Sequence, residues 1–217
     1  MENHDFDQTL LVDAQKHLQA HMHQIIVDKK RPNGWFQDHE GKFYLDAVKR
    51  HDGGILVEIG VHLGRSLSYV LSHCMKVNTQ VYAVDIWIDL PQYPQATFQI
   101  YLDNLRKMGG QDYVRNIGMK SYEASKLFED NSVDVVFIDT LHSYEVTKAE
   151  IESWWPKLKI GGEMLGHDYL DENMGLVRAV NEAFVKPDIV DDCMWLVKKT
   201  ESERKRVQWA DSTLQDT

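Results

Sequence analysis

Apolar and polar positions along this chain follow two different periods. From residue 6 to 28 the apolar residues Leu11, Leu18, Met22 and Ile25 fall on one stripe of a 3.6-residue repeat, which predicts an N-terminal helix. The stretch RPNGWF breaks it. Short apolar runs then alternate with helical stretches. ILVEI (55–59), VYAVDI (81–86), the short YVRNIGM and VDVVFID (133–139) read as strands. GGEMLGHDY reads as a strand entered through a Gly-Gly turn, and DIVDD and CMWLVKK as a closing pair. Helices are predicted over 65–74, within PQATFQIYLDNLRKMGG up to Gly109, over 121–129, from the residues after 139 through 153, and over 175–185. Ser121 opens the third of these, with Glu123 in its first turn. Such alternation means an α/β fold with a mainly parallel sheet. The closing pair leaves no room for a helix between its strands, so the two pair antiparallel.

Ligands of such sheets bind beyond the carboxyl ends of the strands. The segments there are Glu58 to Gly64, Asp85 to Asp89, Met119 to Ser121, Asp139 to His142 and His167 to Tyr169. They are rich in acids, histidine and glycine, whereas the strand starts are not. The first of them, in LVEIGVHLGRS, holds Glu58, Gly60, His62, Gly64 and Ser66. A dinucleotide site needs Gly-x-Gly-x-x-Gly, and only Gly60 and Gly64 are present. A P-loop needs Gly-Lys-Ser/Thr, and Gly64-Arg65-Ser66 is not that. Glu58 would also repel a phosphate. A cofactor with an ammonium group, a sulfonium and a ribose, and no phosphate at this turn, fits: S-adenosylmethionine. Asp85 ends the second strand, where a carboxylate can accept hydrogen bonds from both ribose hydroxyls. Alone, Glu58 reads as a strand-end charge facing water; beside Gly60, Gly64 and Asp85 it reads as part of a cofactor wall.

The stretches VEIGVHLGRS, VYAVDIW and VDVVFIDTLHSYEVTKAEIESWWPKLKIGGEMLGHDY resemble the class I S-adenosylmethionine-dependent methyltransferases. Within that class they resemble the macrocin O-methyltransferases and cephalosporin-hydroxylase-like proteins. The resemblance covers about residues 53 to 199. It implies a Rossmann-like, seven-stranded, mostly parallel sheet with helices on both faces and an antiparallel last strand. It also implies that Glu58 and Gly60 lie near the methionine part of the cofactor, that Asp85 holds the ribose, and that the Lys120-Ser121-Tyr122 turn flanks the adenine. Trp87, next to that ribose site, either stacks on the adenine or serves as core or lid.

Methyl transfer needs the acceptor held in line and its proton removed. Asp139 ends the fourth strand, and His167 and Asp168 end the fifth; neighbouring strands bring these ends together. They are candidate ligands for a divalent metal, and the mixture of oxygen and nitrogen donors suits Mn, Fe or Zn at least as well as Mg. The alternative is that both acids are structural or orient substrate. His142 stands where catechol-type relatives carry a lysine base, and its ordinary pKa of roughly 6.5 lets it take a proton at neutral pH. The alternative is a helix-start histidine that caps or packs. His17 and His21 lack a third ligand and read as a solvated face. Trp154-Trp155-Pro156 reads as packing.

Bulk properties narrow the function. The chain has 217 residues, enough for one domain with an added arm: 1–52 as helical arm and lid, 53–200 as the methyltransferase domain, and 201–217 as a tail. A net charge of −10 argues against a nucleic-acid partner. ERKR near the end reads as a solvated helix face. Cys74 and Cys193 read as core thiols of a reducing compartment. No apolar run reaches membrane-spanning length and no signal-peptide core is present, which predicts a cytoplasmic protein without a membrane partner. The expected activity is O-methylation of a small-molecule hydroxyl; N-methylation, another use of the cofactor and a non-catalytic binding module are the alternatives. The segments RPNGWFQDHEG and WIDLPQYPQ are expected to cover the acceptor pocket. The N-terminal helix is a candidate surface for pairing with a second copy.

Overall fold

A computed structural model of the chain describes residues 30–88, 96–184, 186–190 and 193–201, together with 12, 16 and 27. The predicted N-terminal stripe, His17 and His21, most of WIDLPQYPQ and the ERKR tail lie outside the described residues.

Seven strands form one sheet. They are β1 (Ile55–Ile59), β2 (Gln80–Asp85), β3 (Arg115–Gly118), β4 (Val133–Ile138), β5 (Leu158–Gly166), β6 (Asp188–Val190) and β7 (Met194–Lys198). Their order across the sheet is β3-β2-β1-β4-β5-β7-β6. The first five are parallel, and β7 runs antiparallel to both β5 and β6. This is the architecture expected from the sequence. β1 and β4 lie at the centre and are apolar nearly throughout because both their faces are covered.

The helices are α1 (Asp38–Lys49), α2 (Leu67–Val77), α3 (Thr97–Lys107), α4 (Ser121–Ala124), α5 (Tyr144–Trp154) and α6 (Met174–Ala183). One core joins Tyr44, Ala47 and Val48 of α1, Leu67, Val70 and Leu71 of α2, and Tyr101 and Leu105 of α3 to Leu56, Val135 and Phe137 of the sheet. The other joins Ile151 and Trp154 of α5 and Val180 of α6 to Val57, Val136 and Met164. Trp154 and Trp155 are buried, in keeping with a packing role. No helix among the described residues is long and apolar enough to cross a membrane.

Four local expectations change. The segment assigned to an arm contains α1, which is part of the core. A capping box starts it: Glu40 Oε2 accepts from the Gln37 N–H at 2.5 Å, and the Gln37 side chain answers the N3 backbone N–H. The helix expected from 65 begins at Leu67 and runs to Val77. Gly64 to Ser66 are still in the turn, and Asn78 closes the helix in the left-handed conformation with φ 59°. The helix expected over 121–129 is one α-turn followed by a 3₁₀ turn at Ser125–Leu127. β5 does not start at the Gly-Gly pair but runs through it. Between the pairs Val133–Leu158 and Val135–Glu163 the register shifts, and Gly161, with φ 86°, allows the irregularity.

Glu58 links three elements of the first core. It is fully buried. Its Oε2 accepts from the Tyr44 hydroxyl of α1 at 2.9 Å, and its Oε1 from Ser66 Oγ, just before α2, at 2.6 Å. Burial raises its pKa from 4.5 to about 7, against the pull of the two hydroxyls. An acid with a raised folded pKa binds more protons folded than unfolded between the two values. Its contribution to stability is therefore full below 4.5 and is lost as pH rises through about 7. Glu58→Gln should remove this slope. Urea unfolding at about pH 5 and about pH 8 should show a smaller loss of stability in the variant than in the parent; equal losses would assign the slope to other groups.

Candidate active site

The carboxyl ends of the parallel strands open into a cavity of about 750 Å³. That is within the range of small-molecule sites, roughly 300–1,000 Å³. Gly60, His62, Ser66, Asp85, Trp87, Ser121, Tyr122, Asp139, His142, His167 and Asp168 all line it. Glu58 and Gly64 do not. Glu58 sits one layer beneath the wall, because on β1 it shares the face of Leu56 and points at Tyr44. Gly64, at φ 84°, turns the chain into α2 beneath Tyr101.

The floor is backbone. A Cβ on Gly60 would lie 1.8 Å from the carbonyl oxygen of Asp139, and Gly60 has φ 85°. Only glycine lets the turn after β1 lie against the end of β4. Asp85 then organises the second loop. Its Oδ2 accepts from the His62 N–H and its Oδ1 from the Trp87 N–H, each at 2.7 Å. Burial raises its pKa, while these backbone donors pull it back down. The Ile86 N–H bonds the same carboxylate; with about four acceptor positions on a carboxylate, capacity remains for one further donor. Trp87 is nearly buried; it packs on Phe98 and Tyr101 and donates its Nε1–H to the His62 carbonyl at 3.1 Å. Burial lowers the His62 pKa to about 4, so its ring is neutral. Among described non-glycine residues with positive φ, His62, Trp87 and Asp168 line this cavity. Local strain of this kind clusters at functional sites.

At the Ser121 end, Glu150, a residue not singled out in the sequence, completes the wall, with Trp154 behind it. Glu150 of α5 is buried and accepts from Thr140 Oγ1 at 2.7 Å. Burial raises its pKa to about 8, against hydrogen bonds from Thr140 and Ser121. Trp154 donates Nε1–H to Ser121 Oγ at 2.9 Å. Glu150 falls on the buried stripe of α5 with Thr147, Ile151 and Trp154. An acid on an apolar stripe is the signal that could have found it.

At the opposite end, Asp139, His142 and Asp168 present ligand atoms within 4.8 Å of one another. His142 Nε2 is 2.8 Å from Asp168 Oδ2. Burial opposes the imidazolium, yet Asp168, by hydrogen bond and charge, holds the His142 pKa above 6.5. His167 stands beside this set. Its Nδ1 is 3.0 Å from Asp168 Oδ2 and 3.7 Å from Asp139 Oδ1. Its Nε2 turns away toward Glu40 Oε1, 3.2 Å off. Burial opposes the charge on His167, but Asp168 and Asp139 hold its pKa well above the ordinary value. Asp168 is held well below the usual carboxylate range: burial would raise it, and His167 and His142 override burial. The trio expected to hold a metal is thus adjacent, but the set that converges takes His142 as its nitrogen donor.

Residues of the RPNGWFQDHEG segment, from Asn33 to Glu40, line the cavity as well. Arg65, also not anticipated, anchors this segment by donating Nε–H to the Phe36 carbonyl at 2.5 Å and Nη1–H to the Pro32 carbonyl at 2.9 Å.

A seven-stranded sheet in this order, with its glycine turn after β1 and an acid closing β2, defines the class I S-adenosylmethionine-dependent methyltransferase fold. The chain belongs to the methyltransferase-domain family, whose match runs over residues 57–169. It is 31% identical over 160 residues to the uncharacterized protein y4gI of Sinorhizobium fredii (strain NBRC 101917 / NGR234). That match takes in 68% of this chain and 17% of the relative, so the chain spans less than a fifth of that protein's length. Among solved structures it is similar to the O-methyltransferase NovP, with TM-score 0.60 and 17% identity over 74% of this chain and 77% of NovP. It is also similar to a SAM-dependent O-methyltransferase of Thermotoga maritima, with TM-score 0.55 and 16% identity over 76% and 66% of the two chains. Likeness at such identities shows the fold.

Gly60→Ala tests the floor. The added methyl meets backbone, so the β1 turn must move away from Asp139. The variant should lose several kcal/mol of stability, roughly 2–4 from strain and overpacking, read as a lower urea midpoint. An unchanged midpoint would show that the two loops do not lie in contact.

Proposed function

We propose that the protein transfers a methyl group from S-adenosylmethionine to a hydroxyl of a small molecule. The observation that carries this reading is one continuous cavity with a ribose-type acceptor, Asp85, toward one end and a paired acid and imidazole, Asp168 and His142, toward the other. The O-methyltransferase names of the two structural neighbours support the acceptor type.

The residues fit the cofactor. Gly60 lets the turn after β1 lie against the end of β4 beside the cavity, Asp85 keeps acceptor capacity for a ribose hydroxyl, and the acidic wall suits an ammonium and a sulfonium while repelling phosphate. The Ser121–Tyr122 turn, backed by Glu150 and Trp154, is assigned to the adenine. Bound S-adenosylmethionine supplies a methyl group already activated on sulfur. The protein's part is to hold the acceptor oxygen in line and to receive its proton. His142, fixed by Asp168, takes that proton, and the Asn33–Glu40 wall excludes water.

A second reading is favoured by the convergence of Asp139, His142 and Asp168. Two oxygens and one nitrogen can hold a divalent metal, which would lower the pKa of a bound hydroxyl. The acceptor is then a ligand-forming hydroxyl, and His142 is a ligand and not a base.

Three outcomes test these readings. Asp85→Ala should weaken binding of S-adenosylmethionine by about 1.5–3 kcal/mol, the cost of losing a charged acceptor. Calorimetric titration measures it, and unchanged affinity removes Asp85 from the ribose role. If His142 is the base, His142→Ala lowers the rate by roughly 10²–10⁴ and chelators do nothing. The rate also falls on acidification, with a midpoint above the ordinary 6.5 because Asp168 favours the imidazolium. Asp168→Asn should move that midpoint to lower pH. If a metal acts, chelation abolishes turnover while cofactor binding survives. Full activity in His142→Ala together with indifference to chelators defeats both readings and points to an amine acceptor.

A further inference from the structure

A second group of ligand-type side chains lies on the cavity wall, on the other side of His167. His39, Glu40 and Cys193 each place a ligand atom within 4.8 Å of the others. Cys193 Sγ is 3.2 Å from Glu40 Oε1, and His39 Nε2 is 3.9 Å from the same oxygen. His167 Nε2 comes within 3.2 Å of it as well. Three donors of different type therefore converge on one carboxylate oxygen. A tetrahedral zinc-class ion with bonds of about 2.0–2.3 Å spaces its ligands roughly 3.3–3.8 Å apart, so shifts of a few tenths of an ångström would bring these donors to that spacing around Glu40 Oε1.

His167 is the independent sign of a ligand. Its ring is nine-tenths buried, and Nε2 pairs with Glu40 Oε1 at 3.2 Å without the alignment of a hydrogen bond. A buried polar nitrogen in a poorly aligned contact is under-satisfied. Meanwhile Nδ1 is placed to donate to Asp168. An imidazole whose one nitrogen donates to a carboxylate while the other aims at a thiol and an acid has the orientation of a metal-ligating histidine with its supporting carboxylate.

We propose that His39, Glu40, Cys193 and His167 Nε2 form a binding site for a thiophilic divalent ion of the zinc class. It is distinct from the oxygen-rich cluster of Asp139, His142 and Asp168 and does not depend on the methyl-transfer reading. Thiolate and imidazole select Zn²⁺-type ions over Mg²⁺, whereas the other cluster suits harder ions. Binding displaces the Cys193 thiol proton and the His167 Nε2 proton to solvent. The ion would fasten the start of α1 to the end of β5 and the start of β7, and with them the wall over the acceptor end.

Cobalt reports on such a site, because a thiolate ligand gives Co²⁺ a charge-transfer absorption in the near ultraviolet. The full chain, reduced, stripped of metal and kept in excess Mg²⁺, is titrated with Co²⁺. The expected result is a thiolate-to-cobalt band saturating at one equivalent. It is absent in Cys193→Ser and present in Asp139→Asn, and its dissociation constant rises at least about tenfold in His39→Ala. The His39 side chain is half exposed, so His39→Ala keeps the test readable if Cys193→Ser does not fold. No band in the folded, reduced parent overturns the proposal. So does a band that survives in Cys193→Ser, which would belong to Cys74, or affinity unchanged in His39→Ala.

Discussion

The site exists because two backbones meet at the middle of the sheet. β1 hydrogen-bonds β2 on one side and β4 on the other, so the chains leaving these strands turn in different directions from one point. There the Gly60 backbone lies against the Asp139 carbonyl, with no room for even a methyl group. Two hydrogen bonds pin the junction: Gly60 N–H to the Val84 carbonyl and Asp139 N–H to the Ile59 carbonyl, each 2.9 Å. The turn after β1 is thereby aimed at Asp85, whose carboxylate gathers the His62 and Trp87 amides. The left-handed backbone of His62 and Trp87 is the local cost of that arrangement. The packed cores on either face hold it in place.

Acids around the cavity divide by their partners. Glu58 and Glu150 are buried with hydroxyl partners, and burial wins: both are pushed toward the protonated form, Glu150 against the pull of His142 as well. Glu40 and Asp168 are buried too, yet imidazoles beside them reverse the sign. Carboxylates paired with imidazoles are therefore gathered around Asp168 and His167, where a proton transfer would use them. The Glu150 end offers a neutral carboxyl at ordinary pH, better suited to hydrogen-bonding an uncharged heterocycle than to holding an ion. The same residue type thus plays opposite parts a few residues apart in the fold.

Much of this was legible in the sequence, for reasons that can be named. The central strands announce themselves because parallel strands covered on both faces are apolar at every position, as in VDVVFI. The acids at the strand ends stand out against those runs, and eight of the ten expected cofactor residues line the cavity. Glu58 is the instructive departure. Parity along β1 puts it with Leu56, opposite Val57 and Ile59, but which face carries a ligand is decided by the helices and not by the strand. α1 was hidden because its apolar stripe is short and two of its buried positions, Glu40 and Gly41, are not apolar. Gly41 is there because Tyr69 leaves no room for a side chain. Glu40 and Glu150 escaped notice for a related reason: burial of an acid depends on partners that are distant in sequence, such as His167 and Thr140.

His167 shows why such residues matter together. One ring edge faces Asp168 and Asp139, and the other faces Glu40 and Cys193. A single planar side chain cannot shift toward one group without leaving the other. Phe36 rests on the ring at 5.1 Å, and Arg65 ties the Phe36 carbonyl to the turn before α2. The wall from Asn33 to Glu40, the ring of His167 and the acids after β4 and β5 are therefore one mechanical unit. Anything that alters the charge on either side of that ring changes the electrostatic field felt at His142. The shape of this end of the cavity and its acid–base chemistry are coupled through one imidazole, and a substitution in the wall would carry a change of proton affinity with it.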